Sequence, residues 1–142
     1  MSLANVPLFR GADPADVAAI EALAEHKDLL SGDRLFSPGE TPGALYLILS
    51  GSIVLRAKDK EVAVTTLGSG QLVGEGAFFG GGAHPYSATA AEITRLAVFP
   101  NDKVTRVLAE RPKLALIVYR NAAHTFAEIL RRMAPMLDHP YA

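Results

Sequence analysis

The hydrophobic period of the chain changes twice. Near the N-terminus apolar positions recur at helical spacing. Asp13 and Pro14 open this segment as a capping residue and a first helical residue, with Asp16 in the first turn. Val17, Ile20 and Leu23 then share one face, and the helix is expected to end near residues 25–27. His26 suits that end, where a cation complements the dipole. Val6-Pro7-Leu8-Phe9 is an apolar lead-in expected to pack on the domain.

From Leu29 the period becomes two. Short strands are predicted at 35–36, 45–49, 52–57, 61–67, 71–73, 87–91 and 95–99. In 52–57, Ile53, Leu55 and Ala57 alternate with Ser52, Val54 and Arg56. Turns fall at Ser37-Pro38-Gly39-Glu40, Ser50-Gly51, Lys58-Asp59-Lys60 and Gly68-Ser69-Gly70. Such spacing suggests a sandwich, barrel or jelly roll. Helical period then returns. Asn101 is expected to cap a short helix carrying Val104, Val107 and Leu108. Arg111-Pro112 starts a longer helix with a stripe of Leu114, Val118, Ala122, Phe126, Ile129 or Leu130, and Met133. Pro135 should stop it. The order of helix, β-body and helices gives an α+β fold class.

Composition narrows the function classes. The 142 residues suit one domain with a single core. A net charge of −1 lacks the basic excess of a dedicated nucleic-acid binder. With no cysteine there is no disulfide, thiol nucleophile or cysteine metal site. No signal pattern or spanning apolar run is visible, so a soluble, cytoplasmic chain is expected, without membrane contact. Of 12 glycines, 11 lie between Gly32 and Gly82, which makes the middle turn-rich and the remainder regular.

Candidate chemistry concentrates in one glycine-rich stretch. Gly74-Glu75-Gly76-Ala77 leaves backbone N–H groups uncovered by large side chains. If a helical turn opens at Gly76, these groups form an anion site. Glu75 would repel an anion unless it accepts hydrogen bonds from hydroxyls. An anion beside a diol describes a sugar phosphate. Ser87 and Thr89 can donate further hydrogen bonds. The plainer reading is a surface loop with a solvated Glu75. Gly68, Gly70 and Gly74 lack dinucleotide-fingerprint spacing. His26, His84, His124 and His139 are scattered, so no metal site is expected, nor any catalytic residue.

The order of several short motifs is more specific than any one of them. Pro7-Leu8-Phe9, Phe36-Ser37-Pro38-Gly39-Glu40, the run from Leu45 to Ile53, Leu67-Gly68-Ser69-Gly70, Val73-Gly74-Glu75-Gly76-Ala77 and Pro85-Tyr86-Ser87-Ala88 occur in sequence. In these the chain resembles the cyclic nucleotide-binding domain of catabolite-activator-type regulators, kinase regulatory subunits and cyclic nucleotide-gated channels. The resemblance implies a β-roll or jelly-roll barrel of about eight short antiparallel strands, with an N-terminal helix and two C-terminal helices. One domain over 1–142 would comprise a helical lead-in (1–28), the β-roll (29–99) and C-terminal helices (101–134).

It further implies a phosphate-binding cassette made of Gly74, Glu75, Gly76, Ala77, Tyr86, Ser87 and Ala88. Glu75 would accept from the ribose 2′-hydroxyl. The N–H groups of Gly76 and Ala77 would hold the cyclic phosphate, and Ser87 would donate to it. Ile129 and Leu130 are the base-capping positions of the last helix. This chain departs from the family where Tyr86 replaces an arginine that neutralises the phosphate. Arg56 or Arg95 are candidate substitutes. Gly76 also stands where a larger apolar residue is usual, and Gly80-Gly81-Gly82 reads as slack. The implied function is a non-catalytic sensor for cAMP, cGMP or a related phosphate, signalling through its C-terminal helices. The alternative is a degenerate domain that binds no nucleotide and serves as a protein interaction module. The last helix is a candidate surface for a homodimer or a partner protein. No helix-turn-helix segment follows it here, so no specific DNA binding is expected of this chain alone.

Overall fold

The computed structural model describes residues 2–57 and 63–136. A short 3-10 turn at Pro7–Phe9 precedes helix α1 (Pro14–Glu21). Eight strands follow, with one short helix among them: β1 (Glu25–Leu29), β2 (Arg34–Phe36), β3 (Ala44–Ser50), β4 (Ser52–Ala57), β5 (Ala63–Gly68), β6 (Leu72–Val73), α2 (Glu75–Gly80), β7 (Tyr86–Ala90) and β8 (Thr94–Pro100). Helices α3 (Asn101–Glu110) and α4 (Pro112–Met133) complete the order, before a 3-10 turn at Ala134–Met136.

The strands form two four-stranded sheets, β1-β8-β3-β6 and β2-β7-β4-β5, with every pairing antiparallel. The first sheet is covered on both faces. Leu45, Leu47, Ala97 and Phe99 pack toward the helices, against Val104, Leu108, Leu114, Val118 and Ala122. The alternate residues Tyr46, Ile48, Leu96 and Val98 pack toward the second sheet, against Phe36, Ile53, Ala88 and Ala90. Burial on both faces explains why β3 reads as an unbroken apolar run. The result is the expected α+β jelly roll.

Several local expectations are corrected. The first helix stops at Glu21, and the lead-in does not stay helical to residue 28. Residues 25–29 form an edge strand, with Glu25 opposite Val98 and Leu29 opposite Thr94. His26 therefore sits in a strand and closes no helix. Asp13 precedes α1 without a capping side-chain bond. Asn101 is the first residue of α3 and not its cap; its Nδ2 donates to the Pro42 carbonyl at 3.2 Å. The expected turn at Lys58-Asp59-Lys60 and the first two residues of the 61–67 strand lie outside the described residues.

The C-terminal helices are tied to the lead-in. Asn121 Nδ2 donates to the carbonyls of Leu8 and Arg10, both at 2.9 Å. Arg111 bridges to Asp16 of α1 at 2.7 Å. The α4 stripe changes role along its length. Leu114, Val118 and Ala122 are buried, whereas Phe126, Ile129, Leu130 and Met133 are exposed.

Candidate functional site

The site begins where β6 ends. Gly74 has φ of +97°, a left-handed conformation that glycine adopts freely. A Cβ there would lie 3.3 Å from the Ala44 carbonyl oxygen. This corner turns the chain from the sheet into α2. Phe78 is the first residue to donate back, to the Gly74 carbonyl at 3.1 Å. The N–H groups of Gly76 and Ala77 precede it and have no intrahelical acceptor. The helical turn needed for an anion cradle is therefore present. Gly76 itself is under no steric demand, since a Cβ there would meet nothing within 4 Å. Gly81, with φ of +72°, closes α2 and so does more than lend slack.

Glu75 is partly buried, and it has no hydrogen-bond or ion-pair partner among the described residues. Burial pushes its carboxyl up from 4.5 to about 7. It borders a cavity of about 210 Å³ together with Leu67, Gln71, Leu8 and Thr125 of α4. A desolvated carboxylate without donors is stabilised by hydroxyls that reach it. Ser87 is also buried, 6% exposed, and its hydroxyl makes no hydrogen bond among the described residues.

The raised carboxyl has a consequence for stability. The folded chain holds this proton more tightly than the unfolded chain does. Its contribution is full below 4.5 and is lost as pH rises to about 7. Between those limits the native chain is expected to lose stability relative to Glu75→Gln, by no more than about 3 kcal/mol. Urea midpoints of both chains across that range check this. Parallel curves would place Glu75 in water.

Strand β7 carries the other cassette residues. Its register sets Tyr86 opposite Ala57, Ser87 opposite Arg56 and Ala88 opposite Leu55. Ala88 and Ala90 face the interior, Ser87 is buried beside them, and Tyr86 opens the strand. Tyr86 is 37% exposed. Of the two candidate arginines, Arg95 is turned outward to Asp28 at 3.2 Å. Arg56 stands beside Ser87 in register.

The cassette touches the last helix. Phe78 and Phe79 pack edge to face with centroids 4.9 Å apart, and Phe79 meets Tyr119 of α4 at 5.5 Å. Thr125, which the sequence did not single out, shares the Glu75 cavity. Ile129 and Leu130 lie one turn beyond it and are exposed. A second cavity, of about 400 Å³, lies between α2 and α3, lined by Pro42, Ala77, Phe78 and Asn101. Among the described residues no cluster of His, Asp and Glu could hold a metal, and no helix is long and apolar enough to cross a membrane.

An eight-stranded jelly roll with a Gly-Glu turn on its rim and helices behind it is the architecture of a ligand-sensing β-roll domain. The chain belongs to the cyclic nucleotide-binding domain family, whose model matches residues 26–111. It is 28% identical over 138 residues to a CRP-like cAMP-activated global transcriptional regulator of Mycobacterium tuberculosis, covering 95% of this chain. It spans 62% of that regulator's length. The crystal structure of Thermus thermophilus catabolite activator protein is similar, with a TM-score of 0.78, 30% identity, and 93% of this chain and 62% of that one covered. The N-terminal domain of a Streptomyces coelicolor transcriptional regulator gives a TM-score of 0.77 at 25% identity, covering 97% of this chain and 98% of that domain.

Proposed function

We propose that this domain is a non-catalytic regulatory sensor that binds a cyclic nucleotide, cAMP or cGMP, at the cassette. The observation that carries the reading is the unpartnered, partly buried Glu75 beside the free N–H groups of Gly76 and Ala77. A carboxylate that lacks donors and amides that lack acceptors suit a ribose hydroxyl and a phosphate together. Ser87 adds a donor to the phosphate. The cAMP-activated relative supports the choice of ligand.

Signalling runs through Phe79 and Tyr119, which join the cassette to α4. Ligand shifts the helices only as far as it favours one arrangement over the other. Ile129 and Leu130 close over the base in the bound arrangement. Their exposure, with Phe126 and Met133, also makes the distal α4 face the surface for a second copy or a partner chain. Sedimentation of the domain with and without Leu130→Asp tests this, and identical masses at all concentrations count against self-association.

Isothermal titration with cAMP and with cGMP tests the central reading. Saturable heat with either supports it, and no heat at millimolar ligand sinks it. A second reading draws on Tyr86, which brings no charge to the phosphate. In that reading the cassette is scaffold and α4 alone carries the function, as a docking surface for another protein.

A further inference from the structure

The segment from Gly74 to Pro85 leaves and re-enters the roll, and both of its ends meet one side chain. His84 is 4% exposed. Its ring stacks flat on Phe36 of β2, with centroids 3.6 Å apart and planes 7° from parallel. Its Cε1 lies 3.8 Å from where a side chain on Gly74 would begin. Its backbone is fixed as well. Gly39 N–H donates to the His84 carbonyl at 2.8 Å, and His84 N–H donates to the Glu40 carbonyl at 3.0 Å. Neither ring nitrogen has a hydrogen-bond partner among the described residues. The imidazole is thus held by packing alone. Tyr46 packs on Phe36 at 6.4 Å, on the side of the Gly74 corner.

We propose that His84 is a positioning residue, a clasp whose neutral imidazole holds the cassette shut between Phe36 and Gly74, and that its protonation loosens the cassette and weakens ligand binding. The ligand arm rests on the cassette being the phosphate site, whereas the clasp itself does not. Two titratable groups lie near the ring, Glu40 and Tyr46. The Glu40 carboxylate favours the charged form, and burial opposes it more strongly, so His84 titrates below the usual 6.5. The Tyr46 phenol stays neutral in this range, pushed up by burial and by Glu40. Glu75 titrates near 7 with the opposite sense, since protonation relieves its desolvation. For His84, a lowered folded value means that stability is full above 6.5 and is lost as pH falls below it.

The test needs no ligand. Amide hydrogen exchange of Phe78 and Gly81, whose N–H groups donate to the Gly74 and Ala77 carbonyls, is corrected for intrinsic rates and followed from neutral to acidic pH in the native chain, His84→Phe and Glu75→Gln. Phenylalanine keeps the stack and cannot titrate. A severalfold loss of protection on acidification is expected in the native chain and in Glu75→Gln, with none in His84→Phe. A native chain that shows no loss, a His84→Phe chain that keeps it, or a Glu75→Gln chain that abolishes it would overturn the clasp. If His84→Phe does not fold, the carbon-bound ring protons of the native chain decide. His84 titrating together with the Gly76 and Ala77 amide shifts supports the proposal, and independent titration overturns it. Calorimetry with cAMP at both pH values follows. Absence of any cAMP heat refutes the cassette reading and leaves the exchange result standing.

Discussion

Tyr86→Arg is expected to tighten cAMP binding by roughly ten- to a hundredfold. Tyr86 opens β7, next to the buried Ser87 and opposite Ala57. A phenol there donates one neutral hydrogen bond. A guanidinium donates charge-assisted bonds worth roughly 1.5–3 kcal/mol each. Because the position is 37% exposed, screening pulls the gain toward the lower end. Titration calorimetry at two salt concentrations reads both the gain and its electrostatic origin. An unchanged Kd would mean that the phosphate charge is met elsewhere, and Arg56, opposite Ser87, would be the next residue to change.

Gly51→Ala is expected to cost about 4 kcal/mol or more, enough to unfold a marginal domain. Gly51 has φ of +93° and joins β3 to β4, where the chain passes from one sheet to the other. An added Cβ would lie 2.5 Å from both the Ile93 carbonyl oxygen and Thr94 Oγ1, and 2.7 Å from Thr94 Cα. Thr94 is 0% exposed and cannot retreat. Its hydroxyl accepts from Ser52 N–H at 3.2 Å and lies 3.1 Å from the Ser52 carbonyl, so the clash also breaks the corner's hydrogen bonds. Gly76→Ala is the control. It has open space and no positive φ, and is expected to change the urea midpoint little or to raise it slightly. A Gly51→Ala domain within about 1 kcal/mol of the native one would mean that the corner can rebuild.

The strongly patterned elements were legible from the chain. β3 showed its apolar run, α4 its stripe, and Ser50-Gly51 its turn, because each signal is local. β1 was not legible. Glu25-His26-Lys27-Asp28 offers neither alternation nor branched side chains, and pairing with β8 makes it a strand. The cassette's composition was visible, but its dependence on His84 was not. That contact joins residues far apart in sequence through ring stacking, and no spacing rule encodes it. Thr125 was missed for a related reason. It is a polar residue on the stripe's own face, three residues after Ala122 and four before Ile129, so the apolar pattern passed over it, and the packing of α4 against the lead-in brings it to the Glu75 cavity. Asn101 shows local reading misled by tertiary demand, since its amide serves Pro42 and not the helix it was expected to cap.

The two halves of α4 differ in mechanical standing. Ala122 is the last buried residue of the stripe, so the helix is clamped up to that point and cantilevered beyond it. From Ala122 to Met133 the free arm runs about 16 Å at 1.5 Å per residue. A tilt of about 10° at the clamp would carry Met133 about 3 Å sideways on that helical rise. Tyr119 meets the cassette just before the clamp and Thr125 lies just past it, so a small adjustment at the pocket is enlarged at the tip.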